Sequence, residues 1–172
     1  MGIIAISGKS GCGNTTVVRL VAQKLGFLPV NYTFRTMAKD MGIPFEELLK
    51  KAQDSLEYDR KLDEHQAELA REGNTVVGSR LAIWMVPEAD LKIYLRASHA
   101  VRVQRIHARE GGDIAAIDRF TQERDAKDRA RYRTLYNIDI NDTSCAHLSI
   151  DTERWNAEEI AEIIVDAYRV RK

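Results

Sequence analysis

Three glycines separate an apolar segment from an amphipathic one near the start of the chain. Gly8, Gly11 and Gly13 follow the apolar run 4–6 and precede a segment with apolar residues at helical spacing. Glycines let the backbone turn tightly and leave the N–H groups of the turn uncovered. Such N–H groups, together with the first turn of a helix, bind anions. The segment therefore predicts a strand, a phosphate-binding turn and a helix.

The same turn nearly fits the P-loop pattern GxxxxGK(S/T), which binds the phosphates of a nucleotide. Gly8 and Gly13 occupy the glycine positions and Thr15 the hydroxyl position, but Asn14 stands in place of the lysine. Asparagine donates hydrogen bonds but cannot neutralise phosphate charge. The predicted phosphate-binding residues of the turn are Gly8, Lys9, Ser10, Gly11, Cys12, Gly13, Asn14, Thr15 and Thr16.

Lys9 comes directly after the first glycine of the turn. A lysine at this position resembles the signature lysine of deviant Walker A ATPases, which reaches phosphates across a dimer. One hypothesis is that Lys9 supplies the missing cation, from its own subunit or from a partner. The alternative is a solvated loop lysine, since most lysines are exposed. The sequence otherwise leaves monomer and dimer equally open.

Composition limits the classes of partner. The 172 residues fit one domain, and the 26 Lys and Arg balance the 26 Asp and Glu, so no net charge favours nucleic acid or a membrane surface. Cys12 and Cys145 are the two cysteines, no apolar run reaches the ~20 residues of a membrane span, and the N-terminus lacks the features of a signal peptide. We expect a protein of the reducing cytoplasm.

Apolar periodicity and turn residues predict an α/β domain with a mostly parallel sheet and helices on both faces. Strands are expected at 4–6, 27–30, 75–77, 91–95 and 147–150. Helices are expected at 17–25, 31–40, 44–53, 56–71, 98–110, from about 113 onward, and at 156–170. The three helices between 31 and 72 form an expected helical insert.

A basic segment follows the fourth predicted strand. Residues 96–133 contain ten Lys or Arg and six acids. Arg102, Arg105 and Arg109 share one helix face at spacings of three and four, and guanidinium groups suit phosphate oxygens. The alternative is a pair of solvated, salt-bridged helices. The nearby P-loop favours the phosphate-binding interpretation, whereas the scarcity of aromatic residues disfavours RNA.

With these features together, the chain resembles the nucleoside monophosphate kinases among the P-loop kinases, and most closely the short cytidylate kinases of the archaeal type. The resemblance rests on 7–16, Phe34-Arg35, 57–59 with Leu62-Asp63 and Gln66, 74–86 around Ser79-Arg80-Leu81, 89–95, 101–111, 124–140 and 155–159.

The resemblance implies a P-loop kinase fold with an NMP-binding insert at about 31–72 and an arginine-rich lid at about 98–133. It also implies Mg²⁺-dependent transfer of the γ-phosphoryl group of ATP to CMP or dCMP, with no nucleic acid or membrane partner. Residue by residue, it assigns Arg35 and Arg80 to the acceptor phosphate, Arg124 to the transferring phosphate, Asp128 and Arg131 to the acceptor nucleotide, Thr15 to Mg²⁺, and Arg105 or Arg109 to the lid. Lys9, Arg124 and Arg131 are the predicted catalytic residues.

Several positions depart from the family pattern. Gly78-Ser79 replaces an acidic residue and a glycine before Arg80, and His65 stands where arginine is typical. Lys127 replaces a serine, and it is a second candidate for the lost cation because it lies one helical turn from Arg124. A nucleotide-binding module without kinase activity, or a kinase for another small acceptor, therefore remain alternatives.

Base selection depends on the acceptor's exocyclic groups. The cytosine amine is a donor that a carboxylate can accept from, which makes Asp59 and Asp63, four residues apart on one predicted helix, candidates for reading it. The alternative for each is an ordinary surface acid.

Overall fold

The computed structural model describes residues 2–172, which form five strands and eight helices. The strands are β1 (Ile3–Gly8), β2 (Leu28–Val30), β3 (Thr75–Gly78), β4 (Leu91–Arg96) and β5 (Leu148–Asp151). The helices are α1 (Asn14–Leu25), α2 (Phe34–Met41), α3 (Phe45–Asp54), α4 (Glu57–Ala70), α5 (Ala82–Met85), α6 (His99–Glu110), α7 (Ile114–Tyr136) and α8 (Ala157–Arg171).

The strands form one sheet in the order β2-β3-β1-β4-β5, and every pairing is parallel. Helices cover both faces, which explains why the central strands are apolar at consecutive positions instead of alternating. Ile4 and Ile6 pack towards α1 and α8, whereas Ala5 and Val77 pack towards α4 and α5. The predicted α/β fold is confirmed, and its mostly parallel sheet is wholly parallel.

Strand register brings three chain segments to one edge of the sheet. Ile6 lies beside Gly78 on one side, and Gly8 lies beside Leu95 on the other. The turns after β1, β3 and β4 therefore begin next to one another at the carboxyl edge. In open parallel sheets this edge is where ligands bind.

Two helical units flank this edge. Helices α2, α3 and α4 lie between β2 and β3 and share a small core around Met37, Ala38 and Leu48. Helices α6 and α7 pack together between β4 and β5. None of the helices within residues 2–172 has both the length and the apolar character needed to cross a membrane.

Most predicted elements are present with shifted ends, because capping residues set the starts. The helix expected from residue 31 begins at Phe34, since the Thr33 hydroxyl accepts a hydrogen bond from the Thr36 N–H and caps it. Asp113 caps α7 in the same way. The four-residue helix α5 was not predicted, because it is too short for a periodic pattern to appear.

Candidate active site

The turn between β1 and α1 exposes backbone at the start of a twelve-residue helix. Gly13 stands at the N-cap with φ 92°, and no side chain in the described part of the chain caps the first turn of α1. Gly11 also has positive φ, and a Cβ on it would lie 2.9 Å from the Cβ of Arg102. Only glycine fits this close approach. The uncapped helix start and the tight turn form an anion-binding surface.

Asn14 uses its side chain within the turn. Its Nδ2 donates a hydrogen bond to the Gly8 carbonyl at 2.6 Å. Its Oδ1 is buried and has no hydrogen-bond partner among residues 2–172. Asn14, in the lysine position, therefore links the two ends of the turn by a hydrogen bond and supplies no positive charge.

The environment of Lys9 has features of both interpretations that the sequence left open, a phosphate-binding lysine and a solvated loop lysine. Its side chain is 32% exposed, and its Nζ lies 3.9 Å from Oδ2 of Asp125 on α7. It also lines a cavity of about 400 Å³ above the turn, together with Asn14 and Thr15. Lys127 is exposed and does not line this cavity. Of the two candidate cations, Lys9 is the one at the phosphate-binding turn.

This space, called the loop cavity below, is rich in positive charge. Its lining comprises Gly8, Lys9, Ser10, Gly11, Gly13, Asn14, Thr15, Thr16, Asn31, Thr33, Gly78, Ser79, Arg80, Arg105, Arg109 and Arg124. Cys12, which the sequence assigned to the turn, is buried in the core beneath it. The loop cavity thus combines the glycine-rich turn with guanidinium groups from both later helices.

Arg102 differs from the expectation that it shares a phosphate-facing surface with Arg105 and Arg109. It is buried, donates to the Ser10 carbonyl at 3.2 Å, and binds Asp125 through both terminal nitrogens. The helix face was predicted correctly, but the P-loop packs directly on it. Arg102 therefore ties the P-loop to α6 and α7.

Arg105 remains at the cavity wall in a fixed orientation. It donates to the hydroxyl of Thr152 at 2.7 Å and to the Thr152 carbonyl at 2.6 Å. Arg109 lies one turn further along α6 and lines the same cavity, and its guanidinium pairs with Glu110.

A second space, the insert cavity, lies between the insert helices and α7. Its volume is about 480 Å³, and it shares Asn31, Thr33, Gly78, Ser79, Arg80 and Arg124 with the loop cavity. The remaining lining includes Tyr32, Phe34, Arg35, Phe45, Leu49, Asp59, Leu62, Asp63, Gln66, Leu81, Arg131 and Tyr132. The two cavities therefore form one continuous cleft, in which two ligands can meet.

A chain of ion pairs connects residues of the insert cavity wall through the buried Asp128. Nε of Arg80 lies 2.8 Å from Oδ2 of Asp128, and Asp128 Oδ1 accepts from Arg131 at 2.8 Å. Arg131 also pairs with Asp59 on α4 at 3.1 Å. Asp59 and Asp128 are buried. The chain links α4, α7 and the turn after β3, so these elements hold one another in place.

Asp63 lies one turn from Asp59 and has a different environment. It is buried, and the hydroxyl of Tyr136 donates to its Oδ2 at 3.0 Å. Burial raises the pKa of Asp63 to about 6. Burial also raises the pKa of Asp59, although Arg131 opposes the shift. Both residues are buried, so the interpretation of each as an ordinary surface acid is wrong.

Arg124 stands where the two cavities join. Its side chain makes no hydrogen bond or ion pair with any residue in 2–172, although it is only partly exposed. Burial and the adjacent guanidinium of Arg80 lower the pKa of Arg124. An unpaired cation in a half-buried position indicates a site made for an anion. Arg35, by contrast, is exposed on α2, and its guanidinium lies 4.2 Å above the Phe45 ring.

Comparison with known proteins agrees with this arrangement. Residues 3–154 match the model of the cytidylate kinase-like family. Cytidylate kinase 2 from Borreliella afzelii is 46% identical over 167 residues, which cover 95% of this chain and 94% of that protein. Cytidylate kinase from Pyrococcus abyssi is 43% identical over 164 residues, which cover 94% and 91% of the two chains. The chain belongs to the cytidylate kinase-like family.

The family expected from the sequence is therefore confirmed, and solved structures confirm the fold. Shikimate kinase from Acinetobacter baumannii in complex with shikimate superposes with a TM-score of 0.62 at 16% identity, covering 98% of this chain and 93% of that one. A likeness at this identity shows the fold alone.

In this cytidylate kinase-like protein, the absence of an acid at position 78 has a packing explanation. A Cβ on Gly78 would lie 2.4 Å from Cγ2 of Val18, so α1 packs directly against the end of β3. Gln66 donates to the Gly78 carbonyl at 3.0 Å from the other side. Position 78 is enclosed by neighbours, and Ser79 is the first residue after β3 with a side chain at the cleft.

Sequence reasoning missed a third space, the rim cavity. It has a volume of about 430 Å³ and extends from Cys12, Gly13 and Thr16 of the turn, past Arg105, to Trp155 and Asn156 before α8. Trp155 is 48% exposed. Asn31, Thr33 and Ser79 were also missed. A half-exposed tryptophan indicates a binding surface only when the fold is known to place it beside the P-loop.

Proposed function

We propose that the protein transfers the γ-phosphoryl group of ATP to CMP or dCMP. Family membership supports this chemistry, and the observation that carries it is Arg124, a guanidinium without an ion pair to residues 2–172 at the junction of two contiguous cavities. In phosphoryl transfer, charge develops between donor and acceptor, and a positioned arginine stabilises it. Arg80 and Arg124 both line the two cavities, but Arg80 pairs with Asp128, whereas the Arg124 side chain has no ion pair within residues 2–172.

The donor phosphates bind in the loop cavity. The turn at 8–16 supplies N–H groups, and Lys9 and Arg109 supply positive charge in place of the absent P-loop lysine. Arg105 contributes further charge from a fixed position, because Thr152 holds its guanidinium. The donor nucleoside extends into the rim cavity, where Trp155 offers an aromatic face to the base.

Magnesium fits this donor set. Mg²⁺ is usually held by one or two protein oxygens together with substrate phosphates, and the Thr15 hydroxyl lies in the loop cavity at the start of α1. Thr15 would hold the ion, with Ser79 in the same cavity. The ion would neutralise charge on the β and γ phosphates.

The acceptor nucleotide binds in the insert cavity. Asp128 engages Nε of Arg80, and the two terminal nitrogens of Arg80 make no hydrogen bonds within residues 2–172, which leaves them for a phosphate. Arg35 faces the same cavity from α2. Arg131 lines the acceptor site, and the buried Asp128 orients Arg80 and Arg131. Catalysis then depends on positioning and electrostatic stabilisation, with no covalent intermediate.

The test is coupled turnover of ATP with CMP, dCMP, UMP and AMP, with Arg124→Met as the inactive comparison. We expect CMP or dCMP to give the highest kcat/KM. ATP and CMP binding without turnover would instead indicate a nucleotide-binding module. A clear preference for AMP would indicate a different acceptor and would overturn the proposal.

A further inference from the structure

Asp59 and Asp63 lie one turn apart in the insert cavity, but their oxygens have different partners. Asp59 is neutralised by Arg131 at 3.1 Å. The Asp63 side chain has no ion pair within residues 2–172, and its one hydrogen bond there is the one that Tyr136 donates to Oδ2. Its other oxygen, Oδ1, is left for a donor that enters the cavity.

The two pyrimidines differ at the group that would meet this oxygen. Cytosine carries an exocyclic amine, a donor, where uracil carries a carbonyl, an acceptor. An ionised carboxylate accepts from the amine and repels the carbonyl. A protonated carboxyl group, in contrast, can donate a hydrogen bond to the uracil carbonyl.

We propose that Asp63, held in place by Tyr136, is the side chain that selects cytosine over uracil, and that protonation of Asp63 relaxes this selection. The inference rests on the proposed function, because it requires the insert cavity to hold the acceptor base. Asp59 has a different task. Its carboxylate fixes Arg131, and through Arg131 the rest of the ion-pair chain.

Burial and the neighbouring charged groups together set the pH at which Asp63 is protonated. Asp63 faces Asp59 on its own helix, Arg131 and Tyr136 on α7, and Arg80 after β3. Arg60 and Glu64 on α4 face the Tyr136 hydroxyl in turn. Burial outweighs the two arginines and raises the pKa of Asp63 to about 6.

The first experiment compares two isosteric variants, Asp63→Asn and Asp59→Asn, by the ratio of kcat/KM for CMP to that for UMP. An asparagine at 63 can donate to uracil and accept from cytosine, so the ratio should fall by about tenfold or more. In Asp59→Asn the overall rate is expected to fall while the ratio stays unchanged. A retained ratio in Asp63→Asn, or a relaxed ratio in Asp59→Asn alone, would overturn the assignment.

The second experiment measures the same ratio in the wild-type protein between pH about 8 and about 5. Titration of the substrate phosphate cancels, because both acceptors carry it. We expect the CMP preference to decline as the pH falls through the pKa of Asp63. The decline should vanish in Asp63→Asn. In Tyr136→Phe it should move to higher pH, because the Tyr136 hydrogen bond lowers the pKa of Asp63. A flat profile in the wild-type protein contradicts the inference.

Calorimetric binding of CMP and UMP without ATP separates this inference from the proposed function. If the wild-type protein binds CMP in preference to UMP but turns neither over, the kinase proposal fails. The role of Asp63 is then tested by whether Asp63→Asn reduces the ratio of CMP affinity to UMP affinity. If it phosphorylates CMP and Asp63→Asn keeps the preference, the Asp63 assignment alone fails.

Discussion

Arg102 and Asp125 form a two-point ion pair directly beside the P-loop. Terminal nitrogens of the guanidinium lie 3.3 Å and 2.6 Å from the two carboxylate oxygens, and one of them also reaches the Ser10 carbonyl. The pair joins α6 to α7 and both helices to the turn. The position of α6 and α7 is therefore coupled to the shape of the phosphate-binding turn.

Removal of Asp125 should destabilise the fold, because the Arg102 guanidinium is 4% exposed and would lose its counter-ion. For Asp125→Ala we expect a loss of roughly 3 kcal/mol in the free energy of unfolding, measured by urea denaturation. Arg96→Ala, which removes an exposed pair 3.8 Å long at the same edge of the sheet, should cost less than about 0.5 kcal/mol. Equal losses in the two variants would show that the buried pair contributes no more to the free energy of unfolding than the exposed pair.

Arg124→Met should reduce kcat by about a thousandfold, as loss of an arginine that stabilises phosphoryl transfer does. The same variant should be at least as stable as the wild-type protein, because it removes a half-buried cation that has no ion pair within residues 2–172. Turnover and thermal unfolding measure the two effects. Arg119→Met, on the exposed surface of the same helix, should change neither. Full activity in Arg124→Met would refute its role.

Lys9→Met should lower kcat by about ten- to a hundredfold, because Lys9 is the lysine at the phosphate-binding turn. Adding Asn14→Lys to that variant returns a cation to the usual P-loop position and should restore part of the loss. Steady-state turnover with ATP and CMP measures both. Unchanged turnover and ATP affinity in Lys9→Met would mean that Lys9 is an ordinary loop residue.

Asp63 should make folding stability depend on pH in an unusual direction. Its pKa is raised from 3.8 to about 6 in the folded state, so the folded protein binds a proton that the unfolded chain releases. The stabilisation from this group is full below pH 3.8 and is lost as the pH rises through about 6. As the pH rises from acidic to neutral, the difference in free energy of unfolding between Asp63→Asn and wild type should therefore shift in favour of the variant, by at most about 3 kcal/mol.

Asp139 provides the opposite control for that measurement. Hydrogen bonding from Arg129 lowers the pKa of Asp139 to about 2. The stability it contributes is present at neutral pH and is lost as the pH falls, so Asp139→Asn should matter more at neutral than at acidic pH. If the effects of Asp63→Asn and Asp139→Asn on the free energy of unfolding changed in the same direction with pH, the raised pKa of Asp63 would be contradicted.

Trp155→Ala should raise KM for ATP more than KM for CMP, because Trp155 lines the rim cavity and not the insert cavity. Base stacking on an aromatic side chain contributes about 1–3 kcal/mol, so the rise should be about fivefold or more. Trp155→Phe should retain most of the affinity. In Trp84→Phe, ATP should still quench tryptophan fluorescence, since Trp155 is then the remaining tryptophan. Equal changes in both KM values would argue against donor-base stacking.

Local patterns predicted the strand, turn and helix at 3–25 because neighbouring residues determine them. The role of Arg102 could not be predicted, since helical spacing gives the face but not what packs on it, and its Ser10 contact spans 92 residues of sequence. The Asp63–Tyr136 bond spans 73. Sequence identified both acids as candidates, but only the fold separates the paired carboxylate from the unpaired one.

The contact between Gly78 and Val18 restricts how this protein can change over evolutionary time. Valine is branched at Cβ and cannot swing aside, so an aspartate or glutamate at 78 requires a smaller residue at 18 first. A one-step return to an acidic residue there would disrupt the core before it offered a metal ligand. The two positions are therefore expected to vary together among descendants of this sequence.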